Sequence, residues 1–166
     1  MAERGAGDML RPSIIDRLSG RSGGRRGGEF QPIGVRELKE AVARDLEWLL
    51  NTRVWLPQDP EQMAEFKEAR ESLLSYGIPD LSTFSWASPS DCQRIAARVE
   101  QAIRIFEPRL LPSSVRCEII TSTDTSDFSL KLRIEAVLYV EPISEHVTFD
   151  TKADFDGGGI RVENFE

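Results

Sequence analysis

Phe128-Ser129-Leu130-Lys131-Leu132-Arg133-Ile134-Glu135-Ala136-Val137-Leu138-Tyr139-Val140 alternates apolar and polar side chains up to Glu135 and keeps an apolar residue at every second position throughout. Phe128, Leu130, Leu132, Ile134, Ala136, Leu138 and Val140 share one face, and Ser129, Lys131, Arg133 and Glu135 share the other. A period of two is that of a half-buried strand. Upstream, Val115, Cys117 and Ile119 alternate in the same way, and the Ser-, Thr- and Asp-rich stretch 121–127 reads as a turn between two antiparallel strands. Downstream, Val147 and Phe149 begin a third strand after Pro142. Asp156-Gly157-Gly158-Gly159 is a turn, and Ile160-Arg161-Val162 returns as a short fourth strand.

Before residue 110 the period is 3.6 instead. Val35, Leu38, Val42, Leu46 and Leu49 predict a helix over 35–52, with Trp48 and Leu50 widening its apolar stripe. Met63, Phe66, Leu73 and Leu74 give a thinner stripe over 61–75, between Pro60 and Gly77. A third helix is predicted over 89–107, with Ser88 as its cap, Pro89 at its first position, and Ile95, Val99, Ile103 and Phe106 in line. Pro108 ends it, because proline has no N–H and disfavours helical geometry at Glu107. The loop Tyr76–Leu81 is apolar enough to pack down. Helices followed by strands predict an α+β fold: three N-terminal helices packed on a small C-terminal antiparallel sheet.

Composition divides the 166 residues near position 29. Residues 1–28 hold seven of the twelve glycines and six arginines against three acids, a net of +3; the rest carries 15 bases and 25 acids, a net of −10. The first stretch reads as a flexible Gly/Arg-rich arm with a short docking motif at 12–18, and 29–166 as a single domain. The overall charge of −7 argues against a nucleic-acid binder. No apolar run approaches the roughly 18 residues of a membrane span, and the amino terminus lacks an apolar signal core, so the expected location is cytoplasmic. Cys92 and Cys117 form no CxxC pattern and are expected to be reduced.

The catalytic inventory is short. No phosphate-binding glycine loop and no GxSxG elbow is present. Any histidine-based mechanism must use His146, the one histidine, which reads as an exposed or strand-pairing residue. Glu107 and Glu135 are the acids with the most apolar neighbours; a glycoside hydrolase needs only two suitably spaced carboxylates. Positions 152–163 resemble a calcium loop at Asp154, Asp156, Gly157 and Glu163, but Lys152 stands at the first ligand position, and a hairpin turn is expected. No catalytic, cofactor or metal residue is assigned. The remaining oddity is Phe106-Glu107-Pro108-Arg109-Leu110, a rigid corner flanked by opposite charges that serves equally well as an internal brace or an interface. A long strand 128–140 with short partners also suggests a sheet edge able to accept a strand from another protein.

Pro12–Leu18, Arg44–Arg53 (Arg-Asp-Leu-Glu-Trp-Leu-Leu-Asn-Thr-Arg), Ser75–Leu81 (Ser-Tyr-Gly-Ile-Pro-Asp-Leu), Phe106–Leu110 and the strand Leu132–Phe149 together resemble the TssE family. These are baseplate subunits of the bacterial type VI secretion system, similar to the lysozyme-like wedge protein of contractile phage tails. The resemblance covers nearly the whole chain. It implies a structural, non-enzymatic component that links the baseplate wedge (TssF, TssG and TssK) to the contractile sheath (TssB and TssC) and helps initiate sheath assembly. It implies an assembly contact at Glu107, Pro108 and Arg109, and C-terminal strands with which sheath strands can pair. The alternative is a lysozyme-like glycan hydrolase acting on peptidoglycan.

Overall fold

A computed structural model describes residues 34–54, 68, 72–81, 84–85, 88–120, 130–140, 143–154 and 159–165. The arm over 1–28, its motif at 12–18 and the turn over 121–127 lie outside these residues.

Helix α1 spans Val35–Asn51 and α2 spans Pro89–Phe106. Gly34 caps α1, with its N–H donating to Glu37 Oε2 at 3.1 Å. Leu38, Val42, Leu46, Leu49 and Leu50 are buried along one side of α1. The Ser88 hydroxyl accepts from the Asp91 N–H, and Pro89 opens α2 as expected. Ile95, Val99 and Ile103 are fully buried, and the Glu107 N–H makes the last helical bond, to Ile103.

The strands β1 (Arg116–Ile120), β2 (Leu130–Val140), β3 (Ile143–Asp154) and β4 (Gly159–Phe165) form an antiparallel sheet in sequence order. Register carries the alternation of β2 across the sheet. Cys117, Ile134, Phe149 and Phe165 form one row, and Ile119, Leu132, Thr151 and Val162 the next. This face meets both helices and holds the core. The other face carries charged rows, among them Glu118, Arg133, Asp150 and Asn164. There the Arg133 guanidinium donates to Asp150 at 2.8 and 3.2 Å and holds that carboxyl below its ordinary range. Cys117 faces the core. Burial first, then the charges of Glu100 and Glu118, push its thiol up to about 12, and neither cysteine is in a disulfide. β3 begins at Ile143, four residues before the expected Val147, because backbone pairing with the end of β2 makes a strand of Ser144-Glu145-His146 without an apolar pattern.

The expected three-helix layer is not found. Among the described residues there are two α-helices. The end of the stretch 61–75, Leu73–Ser75, is a 3₁₀ turn in which the Ser72 hydroxyl accepts from the Leu74 N–H, while most of the remaining positions lie outside the described residues. Leu73 and Leu74, counted as part of a buried stripe, are largely exposed. A helix draws most of its stability from burying such a face, and Leu73 and Leu74 supply none, so the 3₁₀ turn ends at Ser75. The chain is extended again at Tyr76, because the next residues have another task. The Ile78 N–H donates to Thr52 O at 2.9 Å and the Val54 N–H to Ile78 O at 3.0 Å, a short parallel bridge beside the end of α1. Ile78 and Leu81 are buried, as the apolar loop predicted.

Gly77 makes this crossing possible. Its φ is +119°, and a Cβ there would lie 2.2 Å from the Thr52 carbonyl oxygen. Gly77→Ala adds backbone strain of about 1–3 kcal/mol to that clash. Its thermal midpoint is expected to fall by at least about 4 °C, measured by circular dichroism against the wild-type chain.

Candidate functional site

Pro108 lacks an N–H and α2 stops behind it, so the chain turns at Glu107–Arg109. The Leu110 N–H closes the turn on Glu107 O at 3.2 Å. Beyond the turn the chain joins the sheet. The Arg109 carbonyl accepts from the Tyr139 N–H, the Leu111 N–H donates to Val137 O (both 2.8 Å), and Leu110 bridges Leu138 in the core. The corner therefore extends the sheet alongside the part of β2 that β1 does not reach.

The Glu107 side chain points inward and the residue is only 4% exposed. A carboxylate in that position requires a partner with matched geometry. Arg109 supplies it in a two-point pair: Nε to Oε1 at 2.6 Å and Nη2 to Oε2 at 2.5 Å, with the Arg109 N–H adding a 3.2 Å bond to Oε1. Nη2 also donates to Asp45 Oδ2 of α1 at 2.6 Å. The other Asp45 oxygen accepts from Arg44 at 3.0 and 3.2 Å, and the Arg44 guanidinium lies 5.2 Å from the centre of the Trp48 ring. Burial alone would lower the pKa of Arg109, but its hydrogen bonds and charge contacts with Glu107 and Asp45 outweigh this and hold it above its ordinary value. Tyr76 sits beside the cluster, edge-on to Phe106 at 5.3 Å. Its phenol is pushed up by burial, then by the charges of Asp45 and Glu107.

Glu107 and Arg109 are thus brought together as a brace between α1, the end of α2 and the sheet, while Pro108 is exposed. Glu135, the other candidate acid, stands on the outward face of the sheet opposite Thr148, away from Glu107. His146 is exposed on β3. The calcium-like stretch begins on β3 and ends on β4, which pair from Asp154 to Gly159. No group of metal-ligating side chains occurs among the described residues.

Sequence reasoning missed the work done by the polar positions of Arg44–Arg53. Glu47 Oε1 accepts from the Val162 N–H at 2.7 Å. The Asn51 carboxamide pairs with both backbone groups of Ile160, Oδ1 with the N–H and Nδ2 with the carbonyl, each at 2.7 Å. Two side chains one turn apart on α1 therefore occupy the outer edge of β4 in place of a neighbouring strand. Gly159, with φ +71°, makes room, since a Cβ there would lie 2.4 Å from Asn51 Oδ1. On the opposite edge, Glu100 Oε1 accepts from the Cys117 N–H at 3.0 Å and Arg104 Nη2 donates to Val115 O at 2.9 Å. Arg53 pairs with Asp80. The available signal was the i, i+4 spacing of Glu47 with Asn51 and of Glu100 with Arg104, both on polar helix flanks beside a sheet.

Arg109→Ala leaves Glu107 buried without its counter-charge. With Arg109 itself 21% exposed in its side chain, the expected loss is near the low end of the about 3–5 kcal/mol for breaking a buried pair, read from urea unfolding. The Tyr76 phenol adds a pH dependence. Its folded pKa lies above the ordinary value near 10, so its contribution to stability is complete below pH 10 and is lost as pH rises through the folded value. Tyr76→Phe is expected to flatten that alkaline fall, measured as unfolding midpoints from pH 8 to 12.

A search of curated proteins returns no match. Among solved structures, a chain of the baseplate complex from the type VI secretion system is similar, with 15% identity over 72% of this chain and 96% of that one, at a TM-score of 0.44. The family model of the baseplate wedge protein gp25 matches residues 36–143, a span running from the first turn of α1, through the Glu107–Arg109 corner, to the start of β3. The chain belongs to the family of the baseplate wedge protein gp25.

Proposed function

We propose that this protein is a non-enzymatic subunit of the cytoplasmic baseplate of a type VI secretion system, where it joins the wedge to the contractile sheath and helps start sheath assembly. Family membership supports the baseplate role. The motifs that resemble TssE support the secretion-system setting, with TssF, TssG and TssK as wedge neighbours and TssB and TssC as the sheath. No helix among the described residues is long and apolar enough to cross a membrane.

The observation that carries the interface reading is the position of the exposed apolar side chains. Among the described residues, Trp48, Leu73, Leu74, Leu111 and Tyr139 are the large hydrophobic residues with high exposure, from 39% to 84%. Trp48, Leu111 and Tyr139 adjoin the Glu107–Arg109 brace, and Leu73 and Leu74 stand in the turn just before Tyr76. Trp48 stacks on the Arg44 that holds Asp45. Leu73 accepts the backbone bond of Tyr76, which packs on Phe106, and Leu74 follows it. Leu111 and Tyr139 flank the backbone bonds that seat the corner on β2. Trp, Tyr and Arg around a rigid centre are the composition of an interface hot spot. In this reading Glu107 and Arg109 act from beneath, fixing the direction of Pro108 and of the apolar residues around it. The sheath contact is made through the backbone of the C-terminal sheet.

The test uses surface residues, so that folding and assembly are read separately. The triple change Trp48→Ala/Leu111→Ser/Tyr139→Ala is expected to leave the thermal midpoint within about 3 °C of wild type. It is also expected to lose wedge subunits in affinity capture from the native bacterium with mass spectrometry. Retention of the same wedge subunits by a folded triple variant would sink the interface reading.

A further inference from the structure

The motif at 12–18 is the one sequence feature that the proposed function leaves without a role. In Ser13-Ile14-Ile15-Asp16-Arg17-Leu18 the apolar residues are Ile14, Ile15 and Leu18, and Ile14 and Leu18 have the spacing of one helical turn. Set between polar and Gly-rich flanks, so small an apolar cluster has too little of its own segment to pack on and is buried only against another surface.

The domain carries a surface of matching character. Trp48, Leu73 and Leu74 are exposed, and they gather round the C-terminal half of α1. Tyr76, three residues after Leu73, packs on Phe106 and lies close enough to Asp45 to feel its charge. Trp48 follows Asp45 by three residues on the same helix, so the two are neighbours on its surface. The Thr52 hydroxyl donates to Trp48 O at 2.7 Å, and the Thr52 carbonyl accepts from the Ile78 N–H, which draws the segment after Leu74 against the end of the helix.

Reach and charge both favour a meeting of the two. Trp48 lies thirteen positions along α1 from Val35, about 20 Å at 1.5 Å per residue. The motif is joined to Gly34 by residues 19–33, fifteen positions with five glycines. A Gly-rich stretch of that length has a root-mean-square span of about 19–23 Å. A tether whose span equals the distance to be bridged gives the greatest effective concentration, roughly millimolar, so even a weak contact is occupied. Residues 1–28 carry a net of +3 and the rest a net of −10, which draws the arm toward the domain.

We propose that in the free subunit Ile14, Ile15 and Leu18 dock on the Trp48–Leu73–Leu74 face of their own domain and cover it until a wedge subunit takes their place. The displacement rests on the interface reading given above; the docking does not.

The full chain is tested alone first, with a photoreactive benzophenone amino acid in place of Arg17, which leaves the three apolar residues intact. Irradiation is expected to give an intramolecular product that mass spectrometry maps to the peptides carrying Trp48 or Leu73 and Leu74. Ile14→Ser/Leu18→Ser, a change confined to the arm, is expected to cut that product at least about fivefold. Trp48→Ala/Leu73→Ser/Leu74→Ser, with folding checked by circular dichroism, is expected to do the same. No product, a product on other peptides, or a product that the arm variant leaves unchanged overturns the docking. A product joining two chains, with a dimer in sedimentation, assigns the face to a second copy and overturns it as well. Purified wedge subunits TssF, TssG and TssK are then added. Binding with loss of the intramolecular product supports displacement, and binding with the product kept overturns displacement while the docking stands. No binding of wedge subunits, either by the wild type or by the arm variant, overturns the interface reading and leaves the docking in place.

Discussion

A carboxylate taken out of water must be met by a cation of fitting shape, and Glu107 imposes that requirement where the end of α2, α1 and the sheet meet. Its side chain lies in the seam between the end of α2, the body of α1 and the beginning of the sheet. Arg109 is two residues away, on the far side of a proline that fixes its own φ, so the pair closes over a very short loop. The third member, Asp45, comes from 64 positions upstream and links the corner to α1. A lysine in place of Arg109 would offer a point charge; the planar guanidinium meets two oxygens of Glu107 and one of Asp45 at once. The position of Leu110 in the core, and of Arg109 and Leu111 against β2, follows from where this pair sets the chain.

The sheet imposes a second requirement. An antiparallel sheet in sequence order has two outer strands, and each presents unpaired N–H and C=O groups. Here helices answer them with side chains rather than strands. α1 and α2 each turn an apolar stripe to the core face of the sheet and use the flank of that stripe, Glu47 with Asn51 and Glu100 with Arg104, to meet the outer backbone of β4 and β1. The helices thus cover the core face and much of the two edges, and the corner Arg109–Leu111 covers the part of β2 that β1 does not reach; the early part of β3 has no outer partner among the described residues.

Much of this was legible in the sequence. The alternation over 128–140 located the central strand and its buried face to within two residues. The 3.6-residue stripes located α1 and α2, and Ser88, Pro89 and Pro108 marked the ends of α2, because caps and prolines act locally. The layer of three helices was not correct. Leu73 and Leu74 have helical spacing, but periodicity alone does not report whether a surface exists to receive them, and here none does. Ser144–His146 was missed as a strand for the converse reason: its pairing comes from the backbone of β2 and leaves no side-chain pattern. The corner stood out as an oddity because proline and paired opposite charges are visible locally. Its third partner, Asp45, was hidden by sequence distance, as were the edge bonds of Glu47 and Asn51. A polar residue on a helix flank looks the same in sequence whether it faces water or a strand edge.

These constraints bear on assembly in a definite way. In the proposed role as an adaptor between assemblies, the subunit has to present its contacts in fixed directions, because an error of direction at one contact is passed to the next. A loop would give contact without direction. The Glu107–Arg109–Asp45 cluster gives direction, since moving Pro108 means exposing a buried charge or pulling a β backbone off its partner. If several copies engage together in the proposed assembly, each contact then needs only modest affinity, because every engaged copy raises the effective concentration of the rest. The apolar residues around the brace and the open backbone of β3 belong to different elements, joined through α1 by Asp45 on one side and Lys39 on the other. One helix therefore fixes the two surfaces relative to each other. That fixed relation is the geometric property that the proposed role requires of a subunit standing between two assemblies.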